Sequence, residues 1–393
     1  MNPSSLSNSN QPIDAQQVRV YLGLCMLLSG RSASAGDCPW VDWAAFSPVD
    51  WEHLARMAQG GGVAPLLHSI LDRLESRGQS GIAAIPPSVK AQLAQSYYSN
   101  AAYNAVLCRE LAGVLAALTE AGVPVILLKG AALIKTIYAD PADRPMNDLD
   151  LLVRRADIPR AVSALQARGF QRLMDNYIRF HVFLLGGQAG QVSVELHWSL
   201  VLNDQRFPAL IDWFWGQSEP LKATSSLASV LSPTAQLLYL TAHLGLQHKG
   251  EERLIWLYDL SLLAARRCED IDWDGLLQQA VQAGWADALY QAFSMVQDRF
   301  GLIDGTLPLP EGWLERLQQQ ADLQPAQPGL TVGILKTWKE SSVRDRLGLL
   351  RGALFPRPAY LRWRYHPRPE WLWPLWYLRR WWDILLDMGN VAV

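Results

Sequence analysis

Hydrophobic positions along this chain fall into three successive regimes. From Asp14 to Glu120 they recur every three or four residues, with Val18, Tyr21, Leu22, Cys25 and Leu28 on one stripe and Leu93, Tyr97, Ala101, Cys108, Leu111, Leu115 and Leu118 on another. That spacing predicts amphipathic helices. Breaks rich in Gly and Ser at 32–36, 60–62 and 77–81 divide the region into about four of them. The period changes at Gly122. Residues 123–128 are a short apolar run rich in β-branched side chains, followed by Lys129-Gly130 and a helical pattern over 131–138. A second strand is predicted over 146–153, an amphipathic helix over 156–168, and a pair of strands over 177–185 and 191–198 joined through the glycine-rich 186–190. Beyond Pro233 helical spacing returns over 235–247, 253–266, 273–283 and 285–300, while 301–327, rich in Pro, Gly and Gln, predicts a loop around one short helix.

Strands in the middle and helices on either side predict an α+β fold, a small mixed β-sheet core flanked by N-terminal and C-terminal helical units. The expected divisions are a tail at 1–13, a helical unit at 14–121, the α/β core at 122–232, a helical domain at 233–300 and a basic, Trp-rich region at 301–393. With 393 residues, half of them hydrophobic, each part has enough apolar surface to bury a core.

Composition then narrows the function classes. A net charge of -2 argues against wholesale wrapping of nucleic acid, but eleven Lys or Arg against three acids between Lys336 and Arg380 concentrate positive charge near the C-terminus. An anionic partner is expected there. Cys25, Cys38, Cys108 and Cys268 form no Cys-x-x-Cys pair, so neither a zinc knuckle nor a disulfide framework is indicated and a reducing cytoplasm is expected. The polar N-terminus lacks the basic start and apolar core of a secretory signal. No uninterrupted apolar run has the length of a membrane span.

The candidate chemistry lies in Asp148-Leu149-Asp150. Strand side chains alternate, so Asp148 and Asp150 share a face and Leu149 and Leu151 take the other. Two like charges held together point to a divalent cation bound by hard oxygen ligands, the bland alternative being a strand edge with two solvated acids. In 192–198, Ser193, Glu195 and His197 share one face. If that strand lies beside the first, Glu195 becomes a third carboxylate at the cluster, either a metal ligand or a general base. Lys129 and Gly130, between a strand and a helix, offer backbone N–H groups at a helix N-terminus to an anion, and Arg144 either neutralises phosphate or is simply solvated.

Two further features are weighed. His243 and His248 are five apart, about 140° from each other on an α-helix, too divergent to clamp one metal. A core or hydrogen-bonded role is expected, with Asp259 capping or anchoring one of them. Trp371, Trp373, Trp376, Trp381 and Trp382 crowd the C-terminus. They read either as an interfacial membrane helix or as a surface packed against the helical domain or across a dimer. Arg357, Arg362, Arg364 and Arg368 interleave with Tyr360, Trp363 and Tyr365, which suits either an RNA contact or a solvated basic face.

Leu127-Leu128-Lys129-Gly130-Ala131-Ala132-Leu133, then Tyr138, Arg144-Pro145, Asp148-Leu149-Asp150-Leu151-Leu152-Val153 and Val194-Glu195-Leu196-His197-Trp198 follow one another in this chain. Together they resemble the nucleotidyltransferase family of the DNA polymerase β-like superfamily, in particular a bacterial branch marked by Leu-Lys-Gly, then Arg, then Asp-Leu-Asp-Leu-Leu-Val. The resemblance implies transfer of a nucleoside monophosphate from a nucleoside triphosphate such as ATP to an acceptor hydroxyl on a protein, an RNA or a small molecule, with pyrophosphate leaving. It also implies Mg²⁺ as cofactor, two ions with Mn²⁺ as a substitute. Asp148 and Asp150 match the paired metal ligands and Glu195 the third acid. Lys129, Gly130, Ala131 and Arg144 fall on the nucleotide-phosphate segment, where Gly130-Ala131 replaces the superfamily's Gly-Gly or Gly-Ser, and sixteen residues separate Ala131 from Asp148. A chain that retains the nucleotide pocket without turnover, or that binds RNA, is the alternative.

Overall fold

The computed structural model describes residues 15–28, 43–78, 85–175, 181–188, 191–201, 208–221, 227–248, 253–301, 309–324, 346, 351, 354–365 and 369–391. The tail at 1–13, the break at 32–36, Cys38, Arg368 and most of the basic stretch from Lys336 to residue 350 lie outside them. The chain forms two compact units, each assembled from three stretches: 1–106, 129–146 and 231–326 in one, and 107–128, 147–230 and 327–393 in the other.

The first unit is helical. It contains α1 (Ala15–Leu28), α2 (Pro48–Gly60), α3 (Ala64–Ser76), the beginning of α4 (Pro87–Glu120) and α5 (Lys129–Thr136). Local chemistry sets several ends. Ser47 caps α2 in a capping box with Asp50, and Pro48 occupies the first turn, where its missing N–H costs nothing. In the same unit lie α8 (Pro233–Ala242), α9 (Leu254–Arg266), α10 (Trp273–Ala283), α11 (Ala286–Val296) and α12 (Trp313–Leu323). Asp272 accepts the Gly275 N–H at the start of α10, and Gly284, left-handed at φ 71°, ends it. The periodicity predicted α10 to the residue and placed α12 in the Pro/Gln-rich segment.

His243–Gln247 differs from expectation. It is a π-helix continuing α8, and its wider turn brings residues five apart onto one side. The His243 and His248 rings therefore lie 4.6 Å apart, both against Trp256, rather than pointing away from each other. Asp259 anchors neither histidine in the manner expected: its carboxylate accepts hydrogen bonds from Tyr138 and Arg144.

The second unit carries a seven-stranded mixed sheet, so the chain has the expected α+β fold. Its strands are β1 (Val125–Leu127), β2 (Asp148–Leu152), β3 (Gln171–Asp175), β4 (His181–Gly186), β5 (Val192–His197), β6 (Ser218–Pro220) and β7 (Ala228–Leu231). Their order across the sheet is β3-β4-β5-β2-β1-β7-β6. The helices α6 (Ile158–Ala167) and α7 (Pro208–Gly216) belong to this unit. Central strands pair in parallel, β2 with β5 and β1 with β7, whereas β1–β2, β3–β4 and β4–β5 are antiparallel. Leu149, Leu151, Val182, Leu184, Val194 and Leu196 are buried on one face. At the β4–β5 turn, Gly187 has φ 102°, and a Cβ there would meet the Glu110 carboxylate at 2.7 Å. Buried Glu110 accepts the adjacent Gln188 N–H.

Strands β3, β6 and β7 and helix α7 were not anticipated. β3 is a polar edge strand whose register shifts between Arg172 and Met174, which erases the alternation that would reveal it. β6 is three residues long and ends in Pro220, a form that blunts a sheet edge. Helix α4 is the one helix among the described residues long and apolar enough to cross a membrane by length and composition. Its buried polar residues Asn104 and Glu110 have protein partners.

The Trp-rich C-terminus packs on the sheet. From the helix Pro358–Tyr365, Tyr360 and Leu361 form a cluster with Leu173 of β3, and Phe183, Leu185, Tyr365, Trp373 and Tyr377 lie against it. The sequence left a membrane interface, the helical domain and a second copy of the chain as alternatives; the contact found within this unit is with Leu173 of β3. The tryptophans divide by face: Trp381 donates its indole N–H to the Leu354 carbonyl, while Trp371 and Trp382 are exposed. Leu361→Ala removes a fully buried side chain from this junction and is expected to cost about 2–5 kcal/mol in urea-induced unfolding. A loss below about 0.5 kcal/mol, the range of surface substitutions, would show that the helix does not dock on β3.

Candidate active site

Pairing register assembles the acids. In the parallel β2–β5 ladder Asp150 lies opposite Glu195 and Asp148 opposite Ser193, and residues opposed in register point to the same face of a sheet. Asp148, Asp150, Ser193, Glu195 and His197 therefore share the face away from the Leu149–Leu196 side. The three predicted carboxylates come together on it. Asp150 is 2% exposed, Glu195 and Asp148 are half-buried.

Sequence reasoning placed His197 on this face without giving it a role, and it missed His181. His197 Nε2 lies 2.8 Å from Asp150 Oδ1. A buried carboxylate needs a compensating donor, and His197 Nε2 is placed to supply it. The same nitrogen is 3.3 Å from Glu195 Oε2. His181, opposite His197 in the antiparallel β4–β5 ladder, places its Nε2 3.7 Å from that oxygen. Burial and the charge of Asp150 oppose ionisation of Glu195. The hydrogen bond from His197 and the charges of His181 and His197 outweigh them, holding its carboxyl below the ordinary carboxylate range. The alternation that linked Glu195 to His197 was visible in the sequence; His181 becomes visible only when the hairpin register is known.

The residues read as phosphate-binding lie in the helical unit. Lys129 is the one non-glycine residue with positive φ among the described residues, at 44°. That conformation costs a side-chain-bearing residue of order 1–2 kcal/mol, and such strain is typical of functional positions. Leu128, just before it, donates its N–H to the backbone carbonyl of Asp150 at 3.0 Å. Gly130 serves packing: a Cβ there would meet Arg144 Nη1 at 2.7 Å and Met146 Cγ at 2.8 Å. Ala131 is buried.

Arg144 is neither solvated nor turned outward. Its Nη2 donates to Asp259 Oδ2 at 2.8 Å in a buried ion pair, and its Nη1 donates to the Pro145 carbonyl. Tyr138 donates to Asp259 Oδ1 at 2.7 Å, and burial, with the carboxylate beside it, pushes its phenol well above the ordinary value, so it stays a donor. Asn104 donates to the Pro141 and Arg144 carbonyls. The segment from Lys129 to Met146 is thus braced by a buried network. Asp259→Asn leaves the Arg144 charge buried without its counter-ion, and a loss of about 3–5 kcal/mol in denaturant unfolding is expected; an unchanged midpoint would show that the pair does not brace the segment.

The donor set fits a hard divalent ion. Asp148, Asp150 and Glu195 supply carboxylate oxygens from adjacent strands on one face, the ligand type such ions require. Residues 47–301 match the family described as uncharacterised nucleotidyltransferase. Among curated proteins, none matches the chain. Among solved structures, the chain is similar to the crystal structure of JHP933 from Helicobacter pylori, with 15% identity and a TM-score of 0.28 over 61% of this chain and 95% of that one. With the family match spanning well over half its length, this chain belongs to the nucleotidyltransferase family.

Proposed function

We propose that this chain is a Mg²⁺-dependent enzyme that moves a nucleoside monophosphate from a nucleoside triphosphate to an acceptor hydroxyl, releasing pyrophosphate. The observation that carries this reading is the register that sets Glu195 beside Asp150, with Asp148 on the same face. Mg²⁺, when bound, neutralises triphosphate charge and lowers the pKa of an attacking hydroxyl. Asp148 and Asp150 would hold it, with Glu195 completing the set or accepting the hydroxyl proton. His197 contacts the buried Asp150 and fixes its orientation. The low proton affinity of Glu195 suits a ligand that stays ionised at neutral pH.

The triphosphate role proposed for Lys129, Gly130 and Ala131 rests on their place in the first turn of α5, because helix N-termini attract anions. Arg144 acts here by bracing that turn through Asp259. The proposed acceptor is a hydroxyl on a protein, an RNA or a small molecule, and the proposed setting is the cytoplasm.

Incubation of the purified chain with nucleoside triphosphates, Mg²⁺ and cell extract, followed by pyrophosphate release and mass spectrometry of the acceptor, tests it. Asp148→Asn, Asp150→Asn and Glu195→Gln are each expected to lower turnover by at least about 100-fold, on the scale of losing a charge-stabilising contact in a transition state, with circular dichroism unchanged. Comparable turnover in wild type and Asp148→Asn refutes metal-assisted transfer at this face. Calorimetric binding of triphosphate without any pyrophosphate release identifies a binding protein instead.

A further inference from the structure

Beside the acid pair, three further donor side chains converge. His181 on β4 faces His197 on β5, and Glu195 precedes His197 by two residues, so alternation places all three on one face. The two imidazole Nε2 atoms approach the same oxygen, Glu195 Oε2, at 3.3 Å and 3.7 Å. The ring centroids are 4.9 Å apart, and the three donor atoms lie within 4.8 Å of one another. A separation of 3.7 Å is too long for an N–H···O bond. Donors on a tetrahedral ion, each about 2.1 Å from it, are about 3.4 Å apart, a distance the observed pair brackets.

We propose that His181, Glu195 and His197 form a binding site for a borderline divalent cation of the Zn²⁺, Co²⁺ or Fe²⁺ class. Two imidazoles and one carboxylate are a donor set that such ions prefer and that leaves further positions open for water or a ligand. Mg²⁺ instead requires oxygen donors in near-octahedral geometry. The face thus offers two kinds of site, an all-oxygen one at Asp148 and Asp150 and a nitrogen-bearing one at the β4–β5 pair, sharing Glu195. An ion here takes the place of the Nε2 proton of His197. Asp150, whose Oδ1 lies 2.8 Å from that nitrogen, is a further charged group beside the site. The inference does not depend on nucleotidyl transfer: it rests on donor geometry within one hairpin and its neighbour.

The test uses the full chain, treated with chelator and titrated with Co²⁺ alone in excess Mg²⁺, with visible absorption and calorimetry as readouts. One Co²⁺ per chain is expected, with the absorption of a nitrogen-ligated, low-coordinate site that excess Mg²⁺ does not abolish. His181→Gln keeps the His197–Asp150 contact, and is expected to weaken Co²⁺ binding by at least about tenfold, the scale of losing even an outer-sphere partner, and to alter the spectrum. Asp148→Asn is expected to leave both unchanged. Co²⁺ binding that Mg²⁺ competes away, or that Asp148→Asn abolishes and His181→Gln does not, overturns the proposal by placing the ion at the acid pair. Pyrophosphate release in Mg²⁺ alone is scored separately, so loss of the transfer reading and loss of this site give different results.

Discussion

The arrangement rests on a buried charge that has to be compensated. Asp150 sits in the middle of a strand, 2% exposed, where an uncompensated carboxylate is costly. His197 lies 2.8 Å from it, brought there by the parallel pairing of β2 with β5. That ladder does two things at once. It supplies a hydrogen-bond partner for the buried Asp150, and it delivers Glu195 to the same face in direct register. A slip of one residue would move Glu195 and His197 together to the apolar face, stranding Asp150. Packing of Leu149, Leu151, Val194 and Leu196 on the opposite side disfavours such a slip, so the hydrophobic side of the sheet maintains the geometry of the polar side.

A comparable logic operates in the helical unit. Asp259 and Arg144 are both buried and answer each other, with Tyr138 supplying a third contact. The pair braces a segment that begins with a lysine in a left-handed conformation and a glycine whose missing Cβ makes room for Arg144 and Met146. Conformational strain at Lys129 persists only because its surroundings over-determine it. Arg144, read from sequence as a phosphate contact, lies within the segment that carries Lys129 and pairs with Asp259.

Much of the fold could be read from periodicity. Elements with long, regular apolar spacing or clear alternation, such as α10 with its Asp272 cap and β5 with its polar Ser193-Glu195-His197 side, were legible because one face of each is buried against a continuous core. Edge strands β3 and β6 were not, since a strand paired on one side and interrupted by a bulge or ended by proline carries no alternation. The π-helix at His243–Gln247 was equally hidden: a stretch of α-helical spacing does not show that one turn has widened, and the angular argument separating His243 from His248 failed on that account.

Taken alone, the order of residues determined the alternating acids at Asp148 and Asp150, the shared side of Glu195 and His197, the glycine at 130 and the mixed α+β class. These depend on periods of two and of 3.6, which local backbone geometry imposes on any chain. Only the tertiary structure decided that Glu195 meets Asp150, that His181 joins it from a neighbouring strand, that Arg144 turns to Asp259, and that the tryptophan-rich end lies on β3. Those are choices of register and partner between segments distant in sequence, made by whichever pairing buries the most apolar surface while leaving no interior charge unanswered.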